Sequence, residues 1–333
     1  MSEILPGIYR LKQPLPPPAS SLGHLNAYLF QGDDGYLLVD AGWNTTESFD
    51  SLQNHLAKIH VDIKDINMII ATHMHPDHYG LVGRLKELSQ AKIGLHELEV
   101  SLIESRYIKM DKLLQQTSQW LYTNGVPEEE LHDLQVASVN MAKFVVPTLP
   151  DMILHGGEII STGSFTFQVL WTPGHSPGHI CLYEPDKKLL LSGDHILPTV
   201  TPIVGSHPQS SDNPLGDFIN SLNTIKQLDI DLVLPGHKNP FGNVGERINE
   251  LMQHHKQRNL DILAKIRTEQ KTAYQIAKEI KWVPSKGGIK LEKLPPLHKR
   301  LALMETLAHL EYMRTEDRIS KFSRDIIIYY QQT

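Results

Sequence analysis

Four apolar runs in this 333-residue chain end in the same way. INMIIA leads into THMHPDH at residues 72–78, FTFQVLWTPGH ends on His175, KLLLSGDH carries Asp194, and DLVLPGH ends on His237. Each run reads as a buried strand followed at once by His or Asp, with Gly or Pro fixing a sharp turn beside it. Loops at strand ends can bring polar groups together above an apolar sheet. A His-x-His pair sets two imidazoles on one side of an extended segment, and the Asp-His pair behind it can face a second point nearby. One such ending is a weak signal. Four in one chain make His73, His75, Asp77, His78, His175, Asp194 and His237 a candidate metal constellation.

The pattern around these endings is α/β. GIYRLKQPL and LNAYLFQGDDGYLLVDAGW read as strands, the second broken by a GDDG turn. The Pro-rich PLPPPASS cannot be a central strand. SFDSLQNHLAKIH reads as an amphipathic helix capped by Thr46 or Ser48, GLVGRLKELSQ as a helix, and KIGLHE as a short strand. The alternation of strands and helices predicts a layered core. Residues 99–152 break the rhythm, read as helical throughout, and are expected to form an inserted cap. Strands resume at GEIIS, FTFQVLW, ICLYEPDKKLLLSG and IDLVLPG, with a helix at FINSLNTIKQL. Residues 1–245, cap included, are therefore expected to form one catalytic unit. From 246 to 333 the chain predicts three helices, one opened by Thr272 and one by proline, then a small hairpin: a winged-helix-like unit.

Composition narrows the classes. Cys181 is the single cysteine, so no disulfide can form within the chain, and a reducing, cytoplasmic address is expected. The N-terminus lacks the basic-then-apolar pattern of a signal peptide, and no run of about 18 apolar residues predicts a membrane span. The formal charge is −6, unevenly placed: residues 253–333 carry +7 and the preceding 252 carry −13.

LLVDAG, THMHPDH, TPGHSPGH, SGDH and LPGH together resemble the metallo-β-lactamase superfamily across about residues 4–245. The resemblance implies an αββα sandwich with a dinuclear metal site at one edge. It implies that His73, His75 and His175 hold one ion, that Asp77, His78 and His237 hold the other, and that Asp194 bridges both. Asp40 of LLVDAG would orient a ligand histidine. Nitrogen and oxygen ligands suit zinc, with iron or manganese as alternatives. Two such ions, about 3.5–4 Å apart, bridge a hydroxide that attacks carbonyl carbon or phosphorus. Asp77 would orient that group or move a proton. His179 and His195, beside the ligands, are expected to be satisfied by backbone hydrogen bonds, and Cys181 to be a small core residue.

The substrate needs separate argument. β-Lactamases of this superfamily usually lack the bridging aspartate, so Asp194 argues against antibiotic hydrolysis. The glutathione-binding motif of glyoxalase II enzymes is absent after Asp194, and Leu197 stands where lactonases of the superfamily place tyrosine. A subgroup with a short C-terminal winged-helix-like domain, some of whose members resemble single-strand endoribonucleases, matches better. The basic C-terminal unit favours RNA. The cap opposes it: residues 99–152 hold four basic and eight acidic residues, with an apolar complement suited to an acyl group. The reading is a dinuclear hydrolase of a small thioester, ester or lactone with an apolar part, with a metal-dependent endoribonuclease as the alternative. A nucleic-acid-binding regulator whose metal core only senses a ligand is a third. No membrane partner is expected, and the C-terminal unit suits packing or homodimer contacts as well as RNA.

Overall fold

The computed structural model describes residues 1–16, 22–282 and 287–333; most of the Pro-rich PLPPPASS lies outside them. Seven strands form the first sheet in chain order: β1 (Ser2–Leu5), β2 (Ile8–Pro14), β3 (His24–Gln31), β4 (Tyr36–Val39), β5 (Ile66–Ile70), β6 (Lys92–His96) and β7 (Met152–Leu154). β1 to β4 pair antiparallel and β4 to β7 parallel. The change follows the connections: β1–β2 and β3–β4 are joined by short turns, whereas parallel neighbours need a crossover. The crossovers are α1 (Thr46–Ala57), then α2 (Pro76–Tyr79) with α3 (Val82–Ser89), then the cap.

Helix α1 is capped by Thr45, whose side chain accepts from the Ser48 N–H, and not by Thr46 or Ser48 as expected. Thr45 is the residue still in extended conformation; Thr46 is already helical, and the Ser48 hydroxyl donates to the Pro14 carbonyl.

The cap comprises α4 (Glu97–Ile103), a π-helical turn (Glu104–Ile108), α5 (Asp111–Thr123), α6 (Glu128–Val136) and a 3-10 turn (Val139–Phe144). The expectation of helix as far as residue 152 is overturned: residues 145–151 carry no helix and Met152 opens β7. Pro147 and Pro150 lack the N–H a helix needs and bias their predecessors towards extended backbone.

The second sheet has the order β12-β11-β10-β9-β8, from β8 (Ile159–Thr162), β9 (Phe165–Trp171), β10 (Ile180–Glu184), β11 (Leu189–Gly193) and β12 (Leu232–Pro235). Helix α7 (Pro214–Ile225) links the parallel pair β11 and β12. Successive side chains on β3 show how the layers form, since strand side chains alternate between faces. Ala27 and Leu29 pack with Phe49, Leu52, Val82 and Leu85 of α1 and α3. Tyr28 and Phe30 pack with Phe165, Phe167, Val169 and Leu191 of the other sheet. Beyond that sheet, Leu190 and Val233 meet Phe218, Leu222, Ile248 and Leu251. The result is the αββα sandwich.

Helix α8 (Val244–Leu263) serves two cores: Ile248 and Leu251 cover the second sheet, and Ile262 joins the C-terminal core. The rest of the C-terminal unit is α9 (Ala273–Glu279), α10 (Pro296–Thr315) and the hairpin β13 (Ile319–Arg324) with β14 (Ile327–Gln332). Thr272 opens α9 with a capping box, as the sequence predicts. This unit shares its core with the cap: Leu121, Val126 and Leu134 pack with Tyr274, Leu303, Leu307 and Leu310. Each fully buried aliphatic there contributes on the order of 1.5–3 kcal/mol. Lys299 Nζ meets Glu130 Oε2 at 2.6 Å across the same boundary. No described helix is long and apolar enough to cross a membrane.

Candidate metal centre

The strand ends meet at one edge of the sandwich. β9, β11 and β12 run in one direction, because β10 is antiparallel to both β9 and β11 while β11 and β12 are parallel. Backbone hydrogen bonds then tie the loops together: Ile180 N–H to the Thr72 carbonyl at 2.9 Å, and Asn26 N–H to the Gly236 carbonyl at 2.7 Å.

Two clusters of candidate ligand atoms result, one from His73, His75 and His175, the other from Asp77, His78, Asp194 and His237. His75 Nδ1 lies 2.9 Å from His73 Nε2 and 3.1 Å from His175 Nε2. That spacing suits nitrogens sharing an ion at the ordinary zinc–nitrogen length of about 2 Å. In the second cluster Asp194 Oδ1 is 3.5 Å from His78 Nε2, and His237 Nε2 is 3.2 Å from Asp77 Oδ2. Asp194 Oδ2 stands 3.5 Å from His237 Nε2 and 3.8 Å from His175 Nε2, so this one carboxylate reaches both clusters.

The outer ring nitrogens fix which inner nitrogen carries a lone pair. His78 Nδ1–H donates to Asp40 Oδ2 at 2.7 Å, His175 Nδ1–H to the Ile203 carbonyl at 2.8 Å, and His237 Nδ1–H to the His24 carbonyl at 2.9 Å. Each Nε2 is thereby left as a donor to a metal. His78 Nε2, His237 Nε2 and Asp194 Oδ1 are buried with no hydrogen-bond partner among the described residues. Orphaned buried polar atoms of this kind call for a ligand. The residues therefore fit a pair of divalent ions.

The electrostatics agree. Burial opposes charge on Asp77, yet His78 and His237 outweigh it and hold its carboxyl at about 2. Burial would likewise keep His237 neutral, but Asp194 and Asp77 lift it to about 10. The second cluster thus demands positive charge. In the first cluster burial, then His175 and Arg106, push His75 down to about 3, so its imidazole stays neutral and able to ligate.

Asp40 lies where the sequence suggested, buried, at positive φ, accepting from His78 and from Thr72 N–H at 2.8 Å. His179 departs from expectation in part: its Nε2 accepts the Asp194 N–H at 3.2 Å, but Nδ1 meets the Thr172 hydroxyl at 2.9 Å. His195 departs fully, for neither ring nitrogen has a partner among the described residues and the ring packs edge-on against Phe218. Cys181 is a core residue, its thiol pushed up by burial to about 12. Sequence reasoning missed Glu99. Fully buried, it accepts Met74 N–H at 3.0 Å and Gly178 N–H at 2.7 Å, bracing the two loops that carry five of the seven candidates.

This sandwich and this edge define a metallo-hydrolase. The chain matches the model of the Metallo-beta-lactamase superfamily over residues 21–237 and belongs to that superfamily. A metallo-beta-lactamase family protein from Thermus thermophilus has the same architecture, with a TM-score of 0.84 and 31% identity over 99% of this chain and 100% of that one. A probable metallo-hydrolase of Bacillus subtilis is 27% identical over 95% of both chains. The human acyl-coenzyme A thioesterase MBLAC2 is 26% identical over 65% of this chain and 74% of its own length.

Proposed function

We propose that the chain is a dinuclear metal-dependent hydrolase of a small thioester, ester or lactone with an apolar part. The observation that carries this reading is Asp194, whose single carboxylate reaches both clusters of imidazoles. His73, His75 and His175 would hold one ion, Asp77, His78 and His237 the other, and Asp194 both. Zinc suits this donor set best, with iron or manganese as alternatives. When bound, the pair supplies Lewis acidity and an activated water. The side chains do the rest. Asp40 and the carbonyls of Ile203 and His24 hold the imidazoles in the ligating tautomer. Glu99 fixes the loops. Asp77, whose Oδ2 lies 3.2 Å from His237 Nε2, would move the proton that the leaving group needs. The similarity to an acyl-coenzyme A thioesterase supports an acyl substrate.

The endoribonuclease alternative draws on the C-terminal charge, and helix α10 weakens it. A helix that reads nucleic acid keeps one basic face free. Here Lys299 pairs with Glu130, and one terminal nitrogen of Arg300 donates to the carbonyls of Leu134 and Gln135, so the two bases turn towards the cap and form no free basic face. A cytoplasmic address is part of the proposal, on the strength of the single buried thiol.

The test is a panel of initial rates for the zinc-loaded protein on acyl-thioesters, aryl and alkyl esters, lactones and single-stranded RNA, with His175→Ala alongside. Metal-dependent ester or thioester cleavage with silent RNA is expected. RNA cleavage that falls steeply with salt, with inert esters, would replace this reading with the nuclease.

A further inference from the structure

We propose that Arg106, Arg300 and His207 form an anion-binding subsite beside the metal centre, which receives a carboxylate or phosphate carried by the substrate. This rests on the hydrolase reading for the identity of the neighbouring centre. The three residues come from three separate elements: the π-helical turn of the cap, helix α10 and the loop after Asp194.

Three sets of contacts bring them together. Tyr107 Oη donates to the Met74 carbonyl at 2.5 Å, which seats the turn holding Arg106 against the loop of His73 and His75. Single π-helical turns are costly and recur at functional sites. Arg106 Nε donates to Gln209 Oε1 at 2.8 Å, and its Nη2 meets His207 Nε2 at 3.4 Å. The 203–209 loop then reaches both ways. Its Ile203 carbonyl accepts from His175, and its Ser206 N–H donates to the Met304 carbonyl at 3.0 Å, one turn along α10 from Arg300.

Neither arginine has a carboxylate partner among the described residues. Arg300 spends one terminal nitrogen on two backbone carbonyls, and its Nε is buried without a partner. Other cations of the C-terminal unit, such as Arg258, Lys271, Arg314 and Lys321, do find acids. Burial and then the Arg106 charge lower Arg300 to about 10, and after burial Arg106, His75 and Arg300 all depress His207, as mutual neighbours would. Guanidinium does not shed its proton readily, so two of them on neighbouring elements without a carboxylate partner are a cost that an incoming anion removes. Their planar donors match the two oxygens of a carboxylate or phosphate. Arg106, Arg300 and His207 are each partly exposed as whole residues.

The experiment uses the full metal-loaded chain and two pairs of thioesters. Succinyl- against butyryl-N-acetylcysteamine asks for a carboxylate on the acyl half. Butyryl-coenzyme A against butyryl-N-acetylcysteamine asks for phosphate on the thiol half. The wild type should favour the anionic member of at least one pair by about tenfold or more in kcat/KM, mostly through KM. Arg106→Gln and Arg300→Gln should each remove most of that ratio, about 10- to 100-fold per guanidinium, and Arg300→Lys should restore part of it. A merely structural role would lower both members together and leave the ratio. No preference in either pair, or a preference that survives both variants, overturns the subsite. Calorimetric titration of the full chain with succinate and with inorganic phosphate gives an independent readout. If no thioester turned over, the hydrolase reading would fall. The subsite would then stand on a roughly tenfold weaker anion affinity in Arg106→Gln, and fail if the affinities matched.

Discussion

The Glu99 carboxylate accepts the backbone N–H of Met74 at 3.0 Å, between two of the clustered histidines. Its other oxygen takes the Gly178 N–H, three residues beyond His175. Glu99→Gln replaces one acceptor with an amide donor facing an N–H. Zinc affinity should fall about 10- to 100-fold, the ordinary effect of losing such a support. Competition with a chromophoric chelator measures it, and unchanged affinity would remove Glu99 from the site.

Asp194→Ala removes the one carboxylate that spans both clusters. Metal content per chain, by elemental analysis after dialysis, should drop from two ions to one or fewer, and turnover should collapse. Full turnover by this variant would disprove the dinuclear mechanism.

Asp40→Asn keeps the shape but weakens the acceptor of His78 Nδ1–H. His78 is then free to take the other tautomer. The ion on the Asp77, His78 and His237 side should be lost first, with a roughly 10- to 100-fold weaker second binding step in calorimetry. Equal loss at both sites would contradict the separation into two clusters.

Removing metal should lower the melting temperature as well as activity. Binding to the native state alone stabilises by about 2.7 kcal/mol at a free ion concentration one hundred times Kd. Scanning calorimetry with and without chelator, followed by zinc readdition, checks both the loss and its recovery.

The cap should loosen in acid. Burial raises the Glu130 carboxyl, but hydrogen bonds from Lys299 and Tyr274 outweigh it and hold it below the usual range. A lowered carboxyl contributes stability above its unfolded value of about 4.3 and loses it as pH falls through the folded value. Hydrogen exchange of α6 and α9 should therefore quicken below about pH 4, and Glu130→Gln should show that fast exchange already at neutral pH.

The sandwich was legible in the sequence because its causes are local. Alternation on β9 and apolar runs on β3 and β12 are visible in any short window. The seven clustered residues were legible for the same reason: each follows its strand directly. Glu99 was not, because it stands far along the chain from Met74 and Gly178, and nothing at its own position marks it. Thr45, Thr46 and Ser48 all have capping side chains, and only the backbone turn chooses among them. The docking of α10 was hidden too. Its Leu303, Leu307, Leu310 and Met313 read as one face of a helix, while the cap that covers Lys299 and Arg300 lies more than a hundred residues upstream.

The shared core of cap and C-terminal unit has a further consequence for how the molecule can be divided. A chain shortened after residue 245 would bare Leu121, Val126 and Leu134 to water and lose the partner of Glu130. The cap would then be the least soluble part of the fragment. Grafting the cap onto a relative would fail on the same ground unless residues 246–333 travelled with it. Cap and C-terminal unit therefore form one exchangeable module, which chain variation should alter together.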